Sequence, residues 1–215
     1  MFMYRSSNKN KKRAQSRSAF TLIELLVVIA IIAILSIVVV LTINPAEMLR
    51  QSRDSQRISD LSTLRSAISL YLVDSAAPNL ASSTAGYGGC YLSTTGSNAT
   101  SAARCGIFNV TSNYTNVSSS VTNYRKNDST GWLPVNFSQI TLSSPLSSLP
   151  VDPLNNLANY YAYAATTTNG AYYFEIDTFM ESKKYGANGT NDVVTTDGGD
   201  NNTAYEIGNK PGLNL

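Results

Sequence analysis

The chain has no histidine, one tryptophan, two cysteines and only 14% charged residues. Without histidine there is no Ser-His-Asp or Cys-His nucleophile and no His-bearing metal site. The two cysteines, Cys90 and Cys105, enclose fourteen residues of Ser/Thr/Gly-rich chain and form no CxxC motif. No second pair exists to complete a zinc site. An extracellular disulfide is the favoured reading, with two free thiols as the alternative. Also missing is any basic patch interleaved with aromatics, so no nucleic-acid partner is indicated. The formal net charge of +2 hides a segregation. Six of the sixteen basic residues (Arg5, Lys9, Lys11, Lys12, Arg13, Arg17) lie in residues 1–19, which hold no acid. The rest carries ten basic against fourteen acidic side chains and is mildly acidic.

What the chain does have is one long apolar run, Phe20–Ile43. From Leu25 to Ile43 there are nineteen residues without charge, proline or glycine. As a helix they would be roughly 28 Å long, about the thickness of a bilayer core. The basic arm before the run stays on the cytoplasmic side by the positive-inside rule. The run is too long for a secretory signal and no small-residue cleavage site follows it, so a retained signal anchor fits better. Glu24 is its one ionisable residue. A carboxylate in a membrane helix costs on the order of 3 kcal/mol and needs a partner, which nothing in Leu25–Ile43 supplies. The alternative is a Glu that snorkels to the cytoplasmic interface.

Ser18-Ala19-Phe20-Thr21-Leu22-Ile23-Glu24, followed by Leu25–Leu35, resembles the class III leader junction of type IV pilins and type II secretion pseudopilins. The resemblance implies cleavage by a prepilin peptidase between Ala19 and Phe20 and N-methylation of the new Phe20 amine. It also implies that Glu24 pairs with the Phe20 amine of a neighbouring subunit in a filament. One departure is Ala19, where the family usually has Gly. A second is Pro45, which stands a few residues later than the proline of pilin relatives. It breaks the helix after Asn44, either as a kink or as the start of a new helix.

From Ala46 the pattern is helical again. Ile58, Leu61, Leu64, Ile68 and Tyr71/Leu72 recur at three- and four-residue spacing. Arg50, Asp54, Arg57 and Asp60 form a charge ladder assigned to the other face, either solvated or pairing with other subunits. The helix is expected to end near Asp74. Residues 78–131 lack periodicity and read as a long surface connection. Their N-x-S/T triplets at Asn98, Asn109, Asn113, Asn116 and Asn127, with a sixth at Asn136, are read as chance in an Asn-rich chain. Asn159–Thr166 and Ala171–Met180 read as strands joined by the hairpin signal Thr167-Thr168-Asn169-Gly170, with Tyr205–Gly208 a last edge strand. Tyr172, Phe174, Ile176 and Met180 alternate with Tyr173, Glu175 and Asp177, which marks a half-buried strand with its acids on a solvated face. The pattern Leu149–Pro153, Tyr161–Tyr163 and Gly170–Tyr173 resembles the sheet of major pseudopilins. Those proteins bind calcium in a C-terminal acidic loop, which makes Asp192, Asp197 and Asp200 weak ligand candidates. No EF-hand spacing supports them, a polar turn explains them equally, and no other cofactor is expected.

The expected fold is therefore α+β, a long N-terminal transmembrane helix packed on a C-terminal antiparallel sheet. It divides into a cleaved leader (1–19), a transmembrane and assembly helix (20–44), an amphipathic continuation (45–76) and a head (77–215). Within the head, 78–131 is a variable region and 132–215 the sheet and polar tail. The resemblance implies a filament subunit, first in the inner membrane and then in an extracellular pilus or periplasmic pseudopilus. Its partners are copies of itself, membrane lipid, the peptidase and N-methyltransferase, and an assembly platform with an ATPase. The alternatives are a major pseudopilin of a secretion system, a minor tip pilin binding a surface or DNA, and an anchored enzyme using a pair such as Glu175/Asp177. The last is disfavoured by the missing nucleophile motifs.

Overall fold

The computed structural model describes residues 20–81, 89–95, 104–108, 115–119 and 122–215. The leader 1–19, including Ala19, and Asn98, Asn109 and Asn113 lie outside the described residues. The first helix, α1, runs Leu22–Ile43 and begins at an N-cap, Thr21. It stops at Asn44, which adopts the left-handed conformation with φ 47°. Asn tolerates that region better than other residues with a side chain, and the residue before a proline is pushed out of the helical region. Pro45 then opens α2, Pro45–Asp74, at the one turn where a missing N–H is harmless. The chain divides between these two residues into two compact units.

In the second unit α2 buries one stripe: Asp54, Arg57, Leu61, Leu64, Ala67, Ile68 and Tyr71. The stripe lies against a five-stranded sheet built of β1 (Gly89–Thr95), β2 (Thr115–Ser119), β3 (Tyr161–Thr168), β4 (Ala171–Thr178) and β5 (Tyr205–Gly208). The spatial order is β2-β1-β3-β4-β5. β1, β3, β4 and β5 pair antiparallel, and β2 joins the outer edge in parallel with β1. This is an α+β fold, one helix on a mainly antiparallel sheet with one parallel edge strand added. The β3–β4 hairpin pairs Thr168 with Ala171 and turns through Asn169 and Gly170, φ 53° and 80°. Two successive positive φ values define the type I′ turn that matches strand twist, which is why Asn-Gly marks it.

The sheet is covered on both faces. Towards α2, Tyr161, Tyr163, Phe174, Ile176 and Ile207 pack with Leu61, Leu64, Ile68 and Tyr71. The irregular stretch 132–149 fills the same layer with Trp132, Leu133, Val135, Phe137 and Leu149. On the far face a smaller cluster joins Cys90, Leu92, Cys105, Ile107, Phe108, Ala162, Ala164 and Leu215. A disulfide between Cys90 and Cys105 (Cα–Cα 5.9 Å) pins the short 3-10 turn Gly106–Phe108 over that face. The stretch read as a surface connection thus contributes the strand β1, buried at Cys90, Tyr91 and Leu92. Asn127 bonds Ser144 and Leu146, and Asn136 caps a 3-10 turn, so both amides serve structure.

Leu64→Ala and Ile68→Ala, each fully buried, are expected to lower unfolding free energy by about 2–5 kcal/mol. Leu70→Ala, on the same helix but 45% exposed, is expected to change it by less than about 0.5 kcal/mol. Chemical denaturation of the detergent-solubilised chain checks both. Reduction of Cys90–Cys105, measured alongside, is expected to cost about 3 kcal/mol.

Candidate functional site

The apolar helix carries the first site. Its span Leu22–Val40 has mean hydropathy 3.3 and none of it is buried inside the protein. Side chains from Leu22 to Val40 are exposed around the helix, long and apolar enough to cross a membrane. Its start is fixed by a capping box. Thr21 Oγ1 accepts from Glu24 N at 3.3 Å, and Glu24 Oε2 accepts from Thr21 N at 2.9 Å and Thr21 Oγ1 at 2.7 Å. The carboxylate therefore sits at the positive end of the helix dipole, where a negative charge is favoured. Thr21 is thus the partner that Leu25–Ile43 does not supply. The Thr-x-x-Glu spacing was the signal for it. Phe20, one residue before the cap, is exposed.

The second site is a buried ion cluster on α2. Asp54 and Arg57 are fully buried rather than solvated or turned outward to other subunits. They continue the core stripe at the same three- and four-residue spacing, so they point at the head. Arg57 donates to Asp152 (Nε–Oδ2 2.6 Å, Nη2–Oδ1 3.1 Å) and to Asp54 (Nη1–Oδ1 2.7 Å). It also bonds Glu181, which Arg53 holds from the other side at 3.0 Å from Nε. Asp54 accepts the backbone N–H groups of Glu181 and Ser182, while Asp152 accepts those of Leu154 and Asn155. Asp60, further along, accepts the Tyr161 hydroxyl at 2.8 Å. One guanidinium thus ties α2 to the loop before β3 and the loop after β4. The hydrogen bonds from Arg53 and Arg57 hold the Glu181 carboxyl below its ordinary value, against the opposing effect of burial.

The third site is acidic. Glu175, Asp177 and Glu206 are buried, at 0%, 0% and 2% exposure, and each can offer an oxygen within 4.8 Å of the others. The solvated face expected for Glu175 and Asp177 is covered by the Gly106–Phe108 turn and the C-terminal Leu215 packed on that side. Burial, with the neighbouring acids adding to it, pushes Asp177 well above the carboxylate range, and burial raises Glu175 and Glu206 too. Of the tail acids, Asp197 touches this group through the Glu206 backbone, and the charge of Asp200 acts on Glu175. Asp192, half-buried, accepts from Thr195, Asn188 and Val194 and is pulled down to about 2, chiefly by the Thr195 hydroxyl. Asp197 accepts the N–H groups of Gly199 and Glu206.

Replacing Arg57 by Ala is expected to lower stability by about 3–5 kcal/mol, since Asp54 and Asp152 would remain buried without their partner. Because the folded value for Glu181 is depressed, its contribution is present above the ordinary Glu value near 4.5 and lost as pH falls through the folded value. Denaturation at several pH values checks the sign. The advantage of wild type over Glu181→Gln should be constant near neutrality and shrink in acid.

No curated protein and no solved structure matches the chain. Residues 15–40 match the family model described as the prokaryotic N-terminal methylation motif. The motif thus starts ahead of the candidate cleavage bond and ends with the apolar span Leu22–Val40. The match supports a class III leader of the type IV pilin and pseudopilin type at this end of the chain.

Proposed function

We propose that the chain is a structural subunit of a type IV pilus-like filament. The observation that carries this reading is the methylation motif lying on a helix whose apolar side chains have no cover within the protein. Such a surface needs lipid before assembly and other helices after it. In this reading a prepilin peptidase of the inner membrane cuts between Ala19 and Phe20 and the Phe20 amine is methylated. The mature chain begins one residue before its own helix cap. The helix then docks among copies of itself, driven by an assembly platform and its cytoplasmic ATPase.

Glu24 has the chemistry for that step. In the single chain its carboxylate is satisfied by Thr21 alone, two neutral donors on one oxygen. A charged amine from a neighbouring Phe20 is a stronger partner, because charge-assisted bonds are roughly twice as strong as neutral ones. Burial among helices would strengthen the preference further. The capping box keeps the carboxylate in place until that amine arrives. The head contributes no catalysis in this reading. The disulfide and the Ser/Thr-rich stretch favour an exposed pilus over a periplasmic pseudopilus, and the presence of Glu24 favours the body of the filament over its tip.

Glu24→Gln and Glu24→Ala are expected to insert in the membrane at wild-type level but to be absent from sheared filaments. Fractionation with immunoblotting of the membrane and sheared pools reads both quantities. Wild-type incorporation of either variant would overturn the pairing of Glu24 with Phe20.

A further inference from the structure

The sheet has two edges, and the chain protects one of them far better than the other. An edge strand presents main-chain N–H and C=O groups that template a further strand, and native proteins blunt it with charge, proline or a local cover. At β5 that protection is built. Glu206 pairs with Asp177 of β4, and its N–H turns the other way, to Asp197 Oδ2 at 2.8 Å. Arg65, Lys210 and Pro211 line the cleft beside Glu206, Ile207 and Gly208. At β2 the sequence offers neither charge nor proline. From Gly106 to Tyr124 there are nineteen residues without either, and β2 lies among them.

We infer that β2 is an interaction edge that pairs antiparallel with β2 of a second copy of this chain, across a two-fold axis near Val117, joining the two sheets into one. β2 ends the order β2-β1-β3-β4-β5, so β1 takes one side of its backbone and alternate residues turn their main-chain groups to the other. The edge is held in place for this. Cys90, in register with Asn116, is pinned by the disulfide to Cys105. The irregularity of the pair falls in β1, which takes four steps from Tyr91 to Thr95 while β2 takes two from Val117 to Ser119. β2 itself is therefore unbroken. Main-chain groups fit another strand, and a charge-free edge meets its own image without like-charge repulsion. It offers a charged foreign strand no counter-charge. The consequence rests on the filament reading. Copies within one filament carry their anchors the same way and are related by a screw, whereas a two-fold contact closes on itself. The β2 pair therefore joins heads of different filaments. One pair of five-residue strands is a weak contact, but two filaments repeat it along their length, and avidity makes lateral association strong.

The test uses the full chain in detergent with its disulfide intact, read by sedimentation and hydrogen exchange over rising protein concentration. Pairs are expected to form, and alternate amides of Thr115–Ser119 to gain protection as they do. Protection that does not change with concentration, whether absent or complete throughout, would overturn the inference without any variant. A pair centred on Val117 sets Asn116 opposite Ser118 of the second copy. Asn116→Lys with Ser118→Lys, and separately Asn116→Asp with Ser118→Asp, should each weaken pairing by at least about tenfold through like charges. An equal mixture of the two variants should pair at least as tightly as wild type, a rescue that neither misfolding nor association through α1 would give. A mixture no tighter than either variant alone would contradict β2 self-pairing. In electron micrographs, wild-type filaments should lie side by side and those of the lysine variant singly. Equal bundling of both would sink the role between filaments, whereas a chain that forms no filament at all contradicts the filament reading and leaves the pairing in solution to stand.

Discussion

The head depends on the buried Arg57 guanidinium. It is the only fully buried cation among the described residues and it faces Asp54, Asp152 and Glu181 together. Apolar contact along Leu61, Leu64, Ile68 and Tyr71 supplies the non-directional attraction between α2 and the sheet. Such contact tolerates sliding and repacking. A planar fork with fixed donors does not, so Arg57 sets where along the helix the two loops flanking the β3–β4 hairpin attach. A charged cluster of this kind is weak as a source of stability and strong as a source of a unique arrangement when its partners are all present.

The anchor and the head answer opposite solvation demands. α1 exposes the apolar side chains of Leu22–Val40, which suits lipid, and its Ser36 hydroxyl is answered within the helix by the Ile32 carbonyl. The head buries two layers around one sheet and needs a disulfide to cover the second. Asn44 and Pro45 mark the change of regime, because neither continues the helix before it. The motif at 15–40 covers the whole apolar span Leu22–Val40, which is why the functional reading rests on this end of the chain.

Local signals made the regular elements legible in the sequence. Apolar spacing set α2 and its end at Asp74, Asn169-Gly170 set the hairpin, and the charge-free run set α1. Elements that depend on distant partners were not legible. β1 reads Gly-Cys-Tyr-Leu-Ser-Thr-Thr, with no alternation, and is a strand because β3 offers it an edge. The acids of β4 looked solvated because their cover comes from residues 104–108 and 215, far away in sequence. Asp54 and Arg57 are charged yet buried, so charge alone misplaces their face of α2. Their spacing of seven and four from Leu61 already placed them in the core stripe. The Thr21–Glu24 box is local and readable as Thr-x-x-Glu, N-terminal to the residues Leu25–Ile43 that offer no partner.

The most direct measurement is the intact mass and N-terminal sequence of the protein recovered from sheared cell-surface material. The account predicts a chain that starts at Phe20 and carries one added methyl. A chain that still starts at Met1 and is found only in membranes would contradict it. The protein would then be a signal-anchored surface module, with its function in the head.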